Sequence, residues 1–235
     1  MLFRIGLENN IEGRSLAWVL GHPGCFTYGL STDEVLDKLP SAIENYIAWM
    51  HQQADQPWLD FGEIEIQVEE TWEDYTINEH FELVEEGYEI NAWFLDDWKP
   101  LTGEDIHRGQ QILQWSRARL LESAQGLSEV ELQYLQAGER WSISGILLHT
   151  GGAEWWYLNR LGLAPPRAQL PDEPYERLRV VRQELLQQLQ KLEDQNLVIG
   201  VDGEFWSPRK LLRRAVWHEL DHTHHILRLR KELHS

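Results

Sequence analysis

The sequence predicts an α+β protein in which a small mixed domain is followed by a bundle of helices. Residues 1–100 hold 21 acidic and 4 basic side chains, whereas the rest of the chain holds 18 and 17, so the charge balance changes near mid-chain. Short strand-like runs lie in the first part, and four long helical patterns lie in the second. Because Pro100 and Gly103 break regular structure between them, we expect domains at residues 1–97 and 98–235.

The first domain is predicted to contain several strands and one helix. The helix begins near Thr32, which can cap it, and acidic residues fill its first turn. Pro40 is expected to kink or divide this helix. Cys25 lies just after a Pro-Gly turn, in a short strand that precedes the helix. The other strand-like stretches are residues 2–7, 14–20, 62–72 and 89–98.

The segment from Leu20 to Ile47 resembles the HicB-like antitoxin fold. The residues that carry the resemblance are the turn PGCFTYG and the helix start of the form ST-x-E that follows it. The resemblance covers the beginning of the chain and implies a small α+β domain that serves as a protein-binding module. Cys25 lies inside the signature, and we interpret it as structural, because a reactive thiolate needs an adjacent base or cation.

The charge of the chain indicates which classes of molecule it can bind. The net charge is −18 and is concentrated in the first half, which therefore lacks the basic footprint that nucleic acid requires. An acidic domain suits a basic protein partner, and a solvated acidic surface is the alternative interpretation. The sequence is also compatible with a homodimer.

Three features predict a cytoplasmic protein without a membrane partner. No apolar run is long enough to cross a bilayer. The stretch MLFRIGLENN lacks the basic region and apolar core that mark a secretory signal. Cys25 is the only cysteine, so an intramolecular disulfide is impossible and a reducing compartment fits.

The second domain is predicted to be a four-helix bundle, because four long helices with short connections are typical of that architecture. Ser128 is expected to cap a shorter element after the first long helix. Gly151 and Gly152 either interrupt the second long helix or allow close packing there. The expected long helices cover residues 104–123, 141–161, 173–195 and 206–232.

Two histidines of the last helix face the same way. His218 and His222 are four residues apart, about 40° from each other around the helix axis, and His225 lies near the same face. Their ring nitrogens can therefore converge on one metal ion, and the alternative is a pair of core histidines bonded to backbone or carboxylate groups. His149 lies in an apolar stretch of another helix and is the candidate third ligand, because bundle cores hold metals between facing helices.

Residues 218–222 also match the HExxH pattern of zinc proteases, in which Glu219 would be the general base. Such an enzyme needs a third ligand, usually downstream, and only 13 residues follow His222. Glu232 lies about 15 Å further along the same helix and cannot reach the same ion. The sequence therefore gives a protease little support.

Two motifs resemble the DinB-like family of metal-binding four-helix bundles. They are WSISGILLHTGGAEWWYLNRLG at 141–162 and WSPRKLLRRAVWHELDHTHHILRL at 206–229. The family has one histidine on its second helix and an H-x-x-x-H pair on its last helix. That pattern falls on His149, His218 and His222, so the resemblance implies these three as metal ligands in an up-down-down-up bundle.

The resemblance also implies a function. Relatives include metal-dependent thiol S-transferases that use low-molecular-weight thiols, whereas many members have no assigned reaction. The expected cofactor is a divalent ion, zinc or nickel, with a small thiol cosubstrate and a small electrophile. The alternative is a non-catalytic, stress-related metal-binding protein whose acidic domain binds a protein. Arg213, Arg214 and Arg228 are candidates for holding an acidic substrate, with a solvated basic face as the alternative.

Overall fold

The computed structural model describes residues 1–233 and confirms the α+β class, with a sheet first and helices after it. The chain forms two compact units. The N-terminal unit comprises Met1–Lys99 and Val198–Trp206, and the helical unit comprises Pro100–Leu197 and the chain from Ser207 onward. Residues 198–206 therefore group with the first unit, whereas the predicted boundary after residue 97 assigned them to the second domain.

The N-terminal unit is built on a four-stranded sheet and one long helix. Its elements are β1 (Leu2–Ile11), β2 (Arg14–Val19), β3 (Phe26–Gly29), α1 (Thr32–Gln53) and β4 (Glu65–Glu73). The strand order is β3-β2-β1-β4, and β1 is antiparallel to β2 but parallel to β4. Helix α1 packs against β2 and β3 through an apolar face that recurs every three or four residues.

Helix α1 differs from the prediction in two details. Ser31, one residue before the predicted cap, accepts a hydrogen bond from the backbone nitrogen of Glu34 at 3.3 Å. Pro40 lies inside the helix and does not divide it. The buried face extends on both sides of Pro40, and each large apolar side chain that is buried contributes about 1.5–3 kcal/mol. Together they outweigh the roughly 3 kcal/mol that an interior proline costs.

A second small sheet completes the N-terminal half of the chain. Strands β5 (Tyr75–Ile77), β6 (Leu83–Val84) and β7 (Tyr88–Ile90) lie in the order β6-β5-β7. The predicted strand at 89–98 is wrong beyond Ile90, because residues Leu95–Trp98 form a short 3₁₀ helix. The Asp97 carboxylate caps this helix by accepting a hydrogen bond from the backbone nitrogen of Phe94 at 2.9 Å.

A hairpin precedes the last helix, and it consists of β8 (Ile199–Val201) and β9 (Glu204–Trp206). Asp202 and Gly203 connect the strands with φ angles of 50° and 84°, as a two-residue type I′ turn requires. The φ angle of 84° disfavours any residue with a side chain at Gly203, and a Cβ atom there would also lie 2.6 Å from Cδ1 of Ile77.

The helical unit contains four long helices and one short helix. They are α2 (Gly103–Ala124), α3 (Glu129–Gln133), α4 (Ile143–Arg160), α5 (Pro174–Gln190) and α6 (Pro208–Leu233). Thr102, Ser128 and Ser142 cap α2, α3 and α4 through their side chains. Helix α5 ends at Gln190, short of the predicted end at residue 195.

The four long helices pack against one another around an apolar core. Helix α2 packs against α6, and α4 packs against α5 and α6. A Cβ atom at Gly151 would lie 3.0 Å from Cγ of Arg177 on α5, so the glycine pair permits close packing and leaves α4 unbroken. No helix within residues 1–233 is both long and apolar enough to span a bilayer. The up-down-down-up helix order remains a prediction.

Candidate metal centre

Three histidines from two helices meet inside the helical unit. His149 lies on α4, and His218 and His222 lie one turn apart on α6. The Nε2 atom of His218 is 3.1 Å from Nε2 of His149 and 3.1 Å from Nε2 of His222. One ligand nitrogen from each ring lies within 4.8 Å of the other two. No other group of three metal-ligating side chains comes this close within the described part of the chain.

This arrangement fits a metal ion better than a set of hydrogen bonds. Each Nε2 atom has one in-plane position, which holds either a proton or a lone pair, so His218 cannot make good hydrogen bonds to both neighbours at once. Nitrogens about 2.0–2.1 Å from a tetrahedral ion lie roughly 3.3 Å from one another, close to the observed separation. A divalent ion at the shared focus would take a lone pair from all three rings.

Burial keeps the three rings neutral. It lowers the pKa of His149, and the charge of Arg140 adds to the effect. It lowers the pKa of His222 to about 3, with neighbouring histidines contributing. It lowers the pKa of His218 well below its usual value, with the other two histidines and then Arg214 contributing. Neutral imidazoles are the form that a metal ion needs, because a ligand must present a lone pair.

We expect the metal-free protein to lose stability as the pH falls from 6.5 towards 3. The folded-state pKa of His222, about 3, lies below the ordinary value of 6.5, so in this window the proton binds mainly to the unfolded chain. The contribution of His222 to the free energy of unfolding is fully present above about pH 6.5 and is lost as the pH falls. At about pH 5 the loss from this ring is about 2 kcal/mol.

Urea unfolding of the metal-free wild type and of His222→Gln at about pH 7 and about pH 5 checks this expectation. Between the two pH values the variant should lose about 2 kcal/mol less than the wild type, because glutamine does not titrate. An equal loss in both proteins would contradict the assignment.

Aromatic rings enclose the histidine cluster. Trp141 stacks on His149 with ring centroids 4.3 Å apart and an interplanar angle of 19°. The guanidinium carbon of Arg140 lies 4.5 Å from the centre of the Trp141 ring, so an arginine, an indole and an imidazole form three layers. Tyr157 is buried and presents its ring edge-on to His218, with centroids 6.1 Å apart. These contacts help to orient the imidazole rings.

His225 lies beside the cluster and has a carboxylate partner of its own. Its Nε2 atom is 2.8 Å from Oε2 of Glu139, and Arg228 donates to the other oxygen of that carboxylate at 2.6 Å. The ring of His225 stacks near His222 with centroids 6.0 Å apart. The sequence placed His225 near the same helical face, and the structure pairs it with Glu139.

Four buried charged side chains, one from each long helix, form what we call the charge network. Arg117 on α2 donates through Nη2 to Glu154 on α4 at 2.7 Å and through Nε to Glu219 on α6 at 2.5 Å. Arg182 on α5 donates through Nε to Glu154 at 2.8 Å and through Nη2 to Glu219 at 2.9 Å. Ser116 also donates to Glu219. Two positive charges therefore balance two negative charges inside the helical unit.

Sequence reasoning missed the charge network, including the place of Glu219 in it. Arg117, Glu154 and Arg182 are charged residues at buried positions of their helices, and such positions predict buried partners. That signal was present in the sequence. It could show only that a partner existed, because the partners lie on other helices.

The charge network also removes the general base that a zinc protease would require. Glu219 directly follows His218, so it points about 100° away from the histidine face. Burial raises the pKa of Glu219, but Arg182 and Arg117 outweigh burial and hold that pKa below its usual range. Both carboxylate oxygens accept hydrogen bonds from these arginines. These contacts favour a structural role for Glu219 over the role of a general base in an HExxH protease.

The arginines of α6 do not form a solvated basic face. Arg213 and Arg214 are buried, and the guanidinium carbon of Arg214 lies 4.2 Å from the centre of the Trp217 ring. Arg228 is exposed and pairs with Glu139. Of the three, Arg214 lies one helical turn before His218, and its charge contributes to the low pKa of that ring.

The comparisons with known proteins concern the helical unit. A sequence profile described as the DinB superfamily matches residues 112–226, a segment that contains His149, His218 and His222. The match confirms the DinB-like resemblance predicted from the two histidine motifs. No curated protein matches the chain. No comparison supports the HicB-like resemblance of the first unit, which remains a prediction.

One solved structure is similar to part of the chain. It is described as "YfiT from Bacillus subtilis is a probable metal-dependent hydrolase with an unusual four-helix bundle topology". The similarity has a TM-score of 0.45 and a sequence identity of 18%, and it covers 57% of this chain and 90% of that chain.

Proposed function

We propose that the helical unit binds one divalent ion, zinc or nickel, through His149, His218 and His222, and that it promotes the attack of a small thiol on a small electrophile. The convergence of three neutral ring nitrogens within 4.8 Å carries the proposal. Three nitrogen ligands leave coordination positions for a substrate, as a catalytic ion needs. A bound ion would lower the pKa of a thiol that reaches such a position, so that more thiolate is present at neutral pH.

The side chains around the three histidines determine which substrates can reach the proposed metal site. Trp141 covers one face of His149, and Tyr157 presents its ring edge-on to His218. Because both rings are large and packed against the ligands, the site favours a small substrate over a polypeptide. Arg140, stacked on Trp141 and exposed, places a positive charge near His149, where it would favour a negatively charged reactant.

The nucleophilic sulfur would have to come from outside the chain. Cys25 is the only cysteine, and it belongs to the N-terminal unit. Its side chain is buried, and burial raises the pKa of its thiol, so the thiolate is disfavoured. A low-molecular-weight thiol therefore supplies what the site lacks.

Metal binding without catalysis is the second candidate. The acidic composition of residues 1–100 favours it, because an acidic HicB-like domain would serve to bind a protein while the metal ion stabilises the helical unit. In this interpretation the three histidines have the same ligand role, and no substrate enters.

A turnover assay on metal-loaded protein separates the two candidates. The assay follows the consumption of a panel of small thiols with chlorodinitrobenzene, with and without added zinc or nickel. We expect consumption that requires the metal and is lost in His222→Ala. His224→Ala is the matched control, because His224 is an exposed histidine on the same helix. No turnover with any thiol, despite a full load of metal, would reject catalysis in favour of metal binding alone.

A casein digestion run in parallel tests the protease alternative. We expect no cleavage by the wild type. Cleavage that disappears in Glu219→Gln, in a variant whose circular dichroism spectrum and metal content equal those of the wild type, would overturn the thiol proposal, because it would show that Glu219 acts as a base.

A further inference from the structure

Five aromatic rings of the N-terminal unit are in contact with one another and form what we call the aromatic surface. Trp93 is at its centre, with ring centroids 5.5 Å from Trp72, 5.3 Å from Trp98 and 4.9 Å from Phe205. Tyr75 stacks on Trp72 at 5.9 Å. The rings come from β4, β5, β9 and the segment after β7, so the sequence does not show that they are neighbours.

The aromatic surface is open to solvent. Tyr75 is 38% exposed, Trp98 is 42% exposed and Phe205 is 40% exposed, while Trp72 and Trp93 are half-buried. Large rings that are exposed singly are common, but a contiguous group of them typically marks an interaction site. Tryptophan and tyrosine are also the residues that contribute most to binding at interfaces.

Carboxylates adjoin the aromatic surface. Glu70 lies two residues before Trp72 on β4 and accepts a hydrogen bond from the backbone nitrogen of Leu95 at 2.8 Å, which places it beside the segment that carries Trp93 and Trp98. Burial raises the pKa of Glu70, and the negative charges of Asp97, Glu69 and Asp96 raise it further. Glu70 therefore lies among carboxylates, of which Asp96 pairs with Arg4 and Lys99, and Glu69 pairs with Arg4.

These two features select a cationic occupant. Aromatic faces attract cations, and the planar guanidinium of arginine both stacks on indole and pairs with carboxylates. A nucleic acid would meet a domain with 21 acidic and 4 basic residues in its first 100 positions and would be repelled. A second copy of the chain would bring two such acidic domains together, which like-charge repulsion disfavours.

We propose that the aromatic surface docks an arginine-containing segment of a partner protein, with guanidinium groups on the rings of Trp93 and Trp98 and with Glu70 as their carboxylate partner. This inference is independent of the metal centre, because every residue that carries it belongs to the N-terminal unit. It assigns the N-terminal unit one contact surface and an arginine-containing partner.

Calorimetric titration with a short peptide of alternating glycine and arginine tests the proposal at low salt. The matched probe is the same peptide with citrulline for arginine, which keeps the shape and removes the charge. We expect the arginine peptide to bind and the citrulline peptide to bind at least about tenfold more weakly. Equal binding of the two peptides would overturn the proposal, because it would show that charge is not recognised.

Variants locate the binding site. Trp98→Ala should weaken arginine-peptide binding about tenfold, and Glu70→Gln should also weaken it. Tyr175→Ala is the matched control, because Tyr175 is a similarly exposed ring in the helical unit, and its binding should equal that of the wild type. Unchanged binding in Trp98→Ala with a native circular dichroism spectrum would overturn the proposal in favour of diffuse electrostatic attraction. Sedimentation that shows a dimer abolished by Trp98→Ala would overturn it in favour of a second copy.

Discussion

If the three histidines bind a metal ion as proposed, the His218→Ala variant is expected to lose it. His218 contributes the nitrogen that lies 3.1 Å from both other ligand nitrogens, so its removal leaves two imidazoles on different helices and no central ligand. We expect metal affinity to fall by on the order of 100-fold or more, because structural and catalytic sites of this kind depend on at least three protein ligands. Elemental analysis after loading with zinc and passage over a desalting column measures the result.

The matched control for this variant is His224→Ala. His224 lies on the same helix but is exposed and outside the cluster, so its replacement should leave metal content unchanged. Circular dichroism verifies that both variants keep their helices. Equal metal content in His218→Ala and His224→Ala would rule out the histidine cluster as the metal site.

The Arg182→Met variant is expected to lose about 3–5 kcal/mol of unfolding free energy, because Glu154 and Glu219 would then share Arg117 and one buried negative charge would be uncompensated. Arg182 donates to both Glu154 and Glu219, and all three side chains are buried, so water cannot compensate for its loss. Methionine keeps much of the apolar volume, so the change removes mainly the charge and its hydrogen bonds, including the one that Nη1 donates to the carbonyl oxygen of Leu113. Urea unfolding followed by circular dichroism measures the difference.

Arg179→Met is the matched control for this second variant. Arg179 is an arginine on the same helix that pairs with Glu176 in solvent, and exposed pairs contribute about 0–1 kcal/mol. A second comparison uses Arg182→Met with Glu154→Met, which leaves one arginine facing one glutamate and restores the charge balance. The double variant should regain part of the stability that Arg182→Met loses. A loss in Arg182→Met no larger than in Arg179→Met would show that the network does not stabilise the fold.

Local sequence patterns were sufficient to predict most of the helices in the helical unit. The capping residue Ser128 and the apolar periodicity of the long helices predicted where helices begin, because these signals depend on neighbours within one or two turns. The end of α5 was less predictable, and the helix stops at Gln190 although polar and apolar residues continue in a helical pattern to residue 195. Helix ends depend on tertiary contacts as well as on propensity.

The N-terminal unit differs from the prediction where contacts between residues distant in sequence determine the local structure. The alternation at 89–98 indicated a strand, but β7 ends at Ile90 because the following segment turns and is held by the Asp97 cap. The hairpin at 198–206 carries a recognisable Asp-Gly turn, and yet its neighbours Ile77 and Asn91 are more than 100 residues away in the chain. No local signal could assign it to the first unit.

By itself, the sequence determined the secondary structure of most elements, the pairing of His218 with His222 through one helical turn, and His149 as the candidate third ligand through its motif. Only the tertiary structure decided that the three nitrogens meet, that Glu219 faces Arg117 and Arg182 instead of a metal, and that five aromatic rings share one surface. The physical reason is the distance along the chain over which each kind of interaction acts. Periodicity and capping act over a few residues, whereas ion pairs and ring contacts between separate elements depend on how the whole chain packs.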